Sequence, residues 1–116
     1  MLKIYGLRNC DSCRKALKWL DKNKIIHKYF DIRSEGLTAT EIRCLAKAVG
    51  WNTLLNRRSL TWRNLDNNLK ECFDDENLVE LTLKNPTLIK RPIIMSHNGA
   101  IVGFSDFQKT KIKELL

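Results

Sequence analysis

Asn9-Cys10-Asp11-Ser12-Cys13-Arg14 is the stretch that decides how this chain is read. It follows an apolar alternating strand, Leu2 to Tyr5, and a loop, Gly6 to Asn9. It opens a helix from about Asp11 to Asn23, because Cys13, Ala16, Leu17 and Leu20 recur at i, i+3, i+4 and i+7. Next, His27 to Ile32 alternates with tyrosine and phenylalanine and reads as a second strand. Strand, helix and strand in this order predict a parallel βαβ unit. The cysteine pair therefore falls where the first strand turns into the helix.

Working outward, the middle of the chain is helical. Thr38 and Glu41 form a capping box before Ile42, Leu45, Ala46 and Val49, and Gly50 ends that helix. Thr61 is placed as the cap of a helix from Trp62 to about Cys72, and Asp75 starts another that stops before Pro86. Pro92 to Ser96 is a short apolar strand, His97-Asn98-Gly99 carries a hairpin signal, and Ala100 to Phe104 is the partner strand. Ser105 caps a last helix to about Leu115. The expected fold is α/β: a thioredoxin-like four-stranded mixed sheet with a helical insertion. The 116 residues, 43% of them hydrophobic, suit one domain, 1–116, with the insertion at about 37–85.

The chain opens on a strand pattern rather than a signal peptide, and no apolar run nears the roughly 20 residues that cross a bilayer. The expectation is a cytoplasmic protein without membrane contact. The net charge of +8 suits acidic partners or anionic substrates. Its lysines are spread without a block of five, and no recognition-helix motif is visible, so direct nucleic-acid binding is not expected. Nothing demands more than a monomer.

Cys10, Cys13, Cys44 and Cys72 are the cysteines. A disulfide framework is not expected in a cytosolic chain of this size. Cys10, at or next to the helix N-cap, meets unsatisfied N–H groups and the positive end of the helix dipole. Such places lower a cysteine pKa from about 8.5 to roughly 3.5–7.5. Arg14 and Arg8 add positive charge. Cys13 is three residues on, on the same helix face, where it either resolves a disulfide on Cys10 or packs as a small hydrophobe. Zinc needs four ligands, and Cys44, Cys72, His27 and His97 lack that spacing, so no metal is expected. Cys44 and Cys72 read as structural thiols, and Trp19, Trp51 and Trp62 as packing residues. Asn56-Arg57-Arg58-Ser59 is a basic loop whose arginines are either solvated or hold an anion. Read from the residues alone, Arg91-Pro92 is a trans bond opening a strand.

Together these residues carry a resemblance. The chain resembles the arsenate-reductase-like branch of the thioredoxin fold, which includes ArsC, Spx and YffB, and is most similar to the short YffB-like group. The resemblance rests on Ile4-Tyr5-Gly6, Asn9-Cys10-Asp11, Gly50-Trp51, Leu54-Leu55-Asn56, Arg58, Thr61-Trp62-Arg63, Ile89-Lys90-Arg91-Pro92 and Gly103-Phe104-Ser105-Asp106. It implies that Cys10 is a nucleophile, that Arg91-Pro92 is cis and close to it, and that Arg91 is the anion-binding arginine. It also implies that Arg58 is the arginine typical of the Spx and YffB branches. Arsenate reductases of the family use three arginines. Only Arg91 matches here, with Asn56 and Phe104 at the other two places.

The function expected from this is a glutathione-dependent thiol–disulfide oxidoreductase. Cys10 attacks, and Cys13 or glutathione resolves. Arg91, beside Pro92, joins Arg58 and Arg14 in holding carboxylates. No cofactor is bound, glutathione is a co-substrate, and glutaredoxin is an accessory partner. The alternatives are an Spx-like redox-sensing regulator that binds RNA polymerase, and an arsenate reductase.

Overall fold

A computed structural model describes residues 1–35, 37–65 and 74–116 of the chain. The described residues form two compact units, one of Met1–Glu35 with Arg91–Leu116 and one of Gly36–Lys90.

The first unit is built around β1 (Leu2–Gly6), α1 (Asp11–Lys22) and β2 (His27–Asp31). It is completed by β3 (Ile93–Ser96), β4 (Gly99–Val102) and the last helix, α6 (Asp106–Leu115). The strands form one mixed sheet in the order β2-β1-β3-β4. β1 runs parallel to β2, with Gly6 opposite Asp31, and antiparallel to β3, with Ile4 opposite Ile94. β3 and β4 are the expected hairpin, from Ile93↔Val102 to Ser96↔Gly99. Its connecting residues are His97 and Asn98, and Gly99 already belongs to β4, so the Asn-Gly step sits one residue later than a turn centred on it. The Ser96 hydroxyl accepts the Asn98 N–H at 3.0 Å and closes the turn.

Leu2, Ile4 and Ile94 pack with Leu20 of α1 and with Ile112 and Leu115 of α6. All six are buried, and each such side chain contributes about 1.5–3 kcal/mol. That burial holds α1 in place, since its start carries no side-chain capping bond. Tyr5 and Phe30 point the other way and stack at 5.1 Å between ring centres.

The second unit holds α2 (Ala39–Val49), α3 (Trp51–Leu54), α4 (Leu60–Arg63), α5 (Asp75–Lys84) and a 3-10 turn, Pro86–Leu88. The Thr38/Glu41 capping box forms as expected, and Gly50 ends α2 with φ +82°, a conformation that favours glycine. Leu55, Leu78, Leu81 and Leu88 form a core with Trp51, Trp62 and Leu65 against it.

Two expectations are corrected here. Ser59, not Thr61, caps the helix after the basic loop: its hydroxyl accepts the Trp62 N–H at 3.2 Å and donates to the Asn56 carbonyl at 2.8 Å. The Thr61 hydroxyl is paired with that of Thr87 at 2.8 Å. α4 ends at Arg63, with Asn64 as its C-cap; the part of the expected helix from residue 66 to Cys72 lies outside the described residues. Cys44 is not a core thiol but an exposed one. The buried positions of α2 are Ile42 and Leu45, and a residue two places from Ile42 faces away from it. No helix among the described residues is long and apolar enough to cross a membrane.

Candidate active site

The parallel register of β1 and β2 brings the loops that follow them to the same end of the sheet. The Ile32 N–H donates to the Gly6 carbonyl at 2.9 Å and carries the ladder one residue past the strands. This end is where α/β sheets place ligands. A cavity of about 620 Å³ opens here, lined by Arg8, Cys10, Asp31, Arg33, Ser34 and Arg91 among others.

Cys10 stands at the N-cap of α1 with extended backbone, φ −99° and ψ 119°. Its carbonyl accepts the first helical N–H, from Arg14, at 3.0 Å. As a neutral thiol it makes no capping bond. Partial burial disfavours its thiolate, but the Cys13 N–H, the Cys13 thiol and the Arg91 guanidinium favour it more, and the pKa falls below the ordinary value. The resulting anion lies at the positive end of a 12-residue helix.

Cys13 is the opposite case. It is 1% exposed. Burial drives its pKa up to about 12; the Leu7 backbone opposes this, and the neighbouring Cys10 adds to it. Its sulfur lies against Gly6: a Cβ built on Gly6 would be 2.5 Å from Cys13 Sγ and 3.4 Å from Tyr29 Cε2. A glycine in β1 is therefore required by close approach. The helix thus carries one cysteine open to the cavity and one buried behind it.

The Arg91–Pro92 bond is cis, the geometry that the resemblance implies. Arg91 lines the cavity and is one of the groups that favour the Cys10 thiolate, and Pro92 after it is buried. Arg14 is turned along α1 to the Asp11 carboxylate, with both side chains exposed. Arg58 belongs to the second unit, where its N–H donates to the Asn56 side chain at 3.3 Å. The cavity wall holds three residues that sequence reasoning did not single out. Asp31 Oδ1 accepts the N–H groups of Arg33 at 2.8 Å and Ser34 at 3.2 Å, and these bonds, the Arg33 one foremost, lower its pKa. This turn presents the Arg33 and Ser34 side chains. The signal was present: in a parallel βαβ unit the residues just past β1 and just past β2 must be neighbours. Among the described residues no group of three or more His, Cys, Asp or Glu is placed to hold a metal.

A model of the ArsC family matches residues 5–112. The chain is 43% identical to an uncharacterized protein of Haemophilus influenzae over 106 residues, 91% of this chain and 93% of that one. It is 34% identical to the global transcriptional regulator Spx of Listeria innocua over 108 residues, 91% of this chain and 82% of that one. The solved structure of a YFFB protein matches it with a TM-score of 0.89 at 32% identity, covering all of both chains. The matched span takes in Cys10 and Cys13, α1, β2 and the Arg91–Pro92 step, and the chain belongs to the ArsC family.

Proposed function

We propose that this chain is a cytoplasmic thiol–disulfide oxidoreductase that uses glutathione as co-substrate. The observation that carries the reading is the difference between the two cysteines of α1. Cys10 opens to the cavity with a lowered pKa, and Cys13 is buried with its proton held. A thiolate attacks disulfides and a thiol does not, so Cys10 is the attacking group.

In the first step the Cys10 thiolate attacks one sulfur of a disulfide or glutathione mixed disulfide. The old S–S bond breaks, a mixed disulfide forms on Cys10, and the other half leaves as a thiolate that takes a proton from water. In the second step, where the half held on Cys10 is glutathione, a second glutathione thiolate attacks its sulfur, forming oxidised glutathione and releasing the Cys10 thiolate; otherwise Cys13, after losing its proton, attacks the Cys10 sulfur, forming the Cys10–Cys13 disulfide and releasing the bound half as a thiolate. The substrate disulfide has gained two electrons. The two thiols now joined in oxidised glutathione, or in the Cys10–Cys13 disulfide, have supplied them. Arg91 steadies the thiolate and receives a carboxylate of the substrate.

Cys10→Ser is expected to abolish turnover of a glutathionylated substrate, and Cys13→Ser to slow it while glutathione still resolves. Full activity in Cys10→Ser ends the proposal. A second reading, a redox switch in a transcriptional regulator acting on RNA polymerase, is favoured by the 34% identity to Spx. Recovery of polymerase from lysate by oxidised but not reduced protein, with no reductase turnover, is the result that would put it first. Arsenate reduction is disfavoured, because Phe104 packs edge-on against Trp19 at 5.9 Å where the resemblance calls for an arginine.

A further inference from the structure

We propose that the cavity beside Cys10 selects disulfides that carry carboxylates near the reactive sulfur, and that Arg8 and Arg33 set this preference. The inference rests on the reductase reading above and names its substrate class. Three arginines, Arg8, Arg33 and Arg91, line the cavity with a single acidic residue, Asp31. Its carboxylate accepts backbone N–H groups and is itself attracted by Arg8, so three arginines facing one carboxylate leave the cavity with a positive excess. Arg8 and Arg33 are exposed side chains on separate loops, one after β1 and one after β2. Strand register alone brings them to one wall. Arg91 lies next to the sulfur, so it senses charge at the reacting centre. Arg8 and Arg33 reach charge further along the substrate, which is where a peptide thiol carries its carboxylates. A guanidinium fork pairs with a carboxylate through two parallel bonds, and the same groups repel a cationic disulfide.

The chemistry read out is a single exchange. Cys10 thiolate attacks the reagent disulfide, its S–S bond breaks, the Cys10 mixed disulfide forms and one reagent thiolate leaves. The protein is the full chain with Cys13, Cys44 and Cys72 changed to serine, so that Cys10 alone reacts. The reagents are oxidised glutathione, which is anionic, and cystamine, which is cationic. Each second-order rate is divided by that of 2-mercaptoethanol with the same reagent, in buffer of about 20 mM ionic strength where screening is weak. The expected ratio favours the anionic reagent by about ten-fold, the scale of two exposed charge pairs. In Arg8→Gln/Arg33→Gln it is expected to fall to within about three-fold of parity. Arg8→Lys/Arg33→Lys keeps the charge and most of the preference, which separates charge from packing. Parity in the parent protein, or a preference that survives the glutamine pair, overturns the inference. The ratio decides this whatever the absolute rates. Rates no faster than 2-mercaptoethanol with either reagent overturn the reductase reading instead.

Discussion

At the scale of single residues, Gly6 and Cys13 are a matched pair. No side chain fits at position 6 while Cys13 Sγ lies 2.5 Å from where its Cβ would stand. Gly6→Ala is expected to destabilise the fold by about 1–3 kcal/mol, the usual cost of overpacking, measured by urea unfolding. In a Cys13→Ala background the nearest contact becomes the Cβ at 3.2 Å, and most of the loss should return. A loss of equal size in both backgrounds would show that the sulfur is not the obstacle. Cys13 also makes a pH prediction. Unfolded, its thiol titrates near the ordinary 9.0; folded, it titrates at about 12. The folded state therefore keeps a proton that the unfolded state gives up between those values. The stability this contributes is complete below pH 9 and is lost as pH rises towards 12. Unfolding at pH 8 and pH 10.5 should show a drop in the parent that is smaller in Cys13→Ala; equal drops would contradict it. Lysine titration is common to both proteins and cancels.

At the scale of elements, the starts of the helices divide into two kinds. α2 closes its own start: Thr38 Oγ1 accepts the Glu41 N–H at 3.1 Å, and Glu41 Oε1 accepts the Thr38 N–H at 3.1 Å. α5 does the same through Asp74, whose Oδ1 accepts the Asn77 N–H at 2.8 Å. α1 has a cysteine at that position and no closing bond from the neutral thiol. Its terminal N–H groups stay available to an anion, which is a cost to the helix and a gain for the thiolate. Thr38→Ala is expected to lower stability by about 1 kcal/mol, read from thermal or urea unfolding, without changing the alkylation rate of Cys10. A change of less than a few tenths of a kcal/mol would mean that packing of Ile42 and Leu45 alone holds α2. The capping box was legible because its two residues are three apart in the chain. The Ser59 cap was misplaced because two hydroxyls compete there, and the choice is made by the Asn56–Ser59 turn and by Thr87, 26 residues from Thr61.

At the scale of the whole molecule, β1 and β3 are the inner strands of the sheet and β2 and β4 its edges. Amide exchange should be slowest at Ile4 and Ile94, which are fully buried and sit opposite each other in the inner strand pair, and faster at Lys28 and Ala100. Faster exchange in β1 than in β2 would contradict the observed strand order. The four-stranded mixed sheet was readable, because a strand-helix-strand unit followed by a hairpin leaves few sheets to build; its order came from the structure. The helix period, the capping box, the hairpin and the position of Cys10 at a helix start were also in the sequence. Each is set by residues within a few places of one another. The tertiary structure alone decided the rest: that Cys13 is buried against Gly6 and keeps its proton, that Cys44 is exposed, that Arg14 is spent on Asp11, and that Arg8, Arg33 and Arg91 share one cavity. The physical reason is separation along the chain. Burial and convergence depend on strand register and on what packs over a residue, and neither is written in the few residues on each side of it.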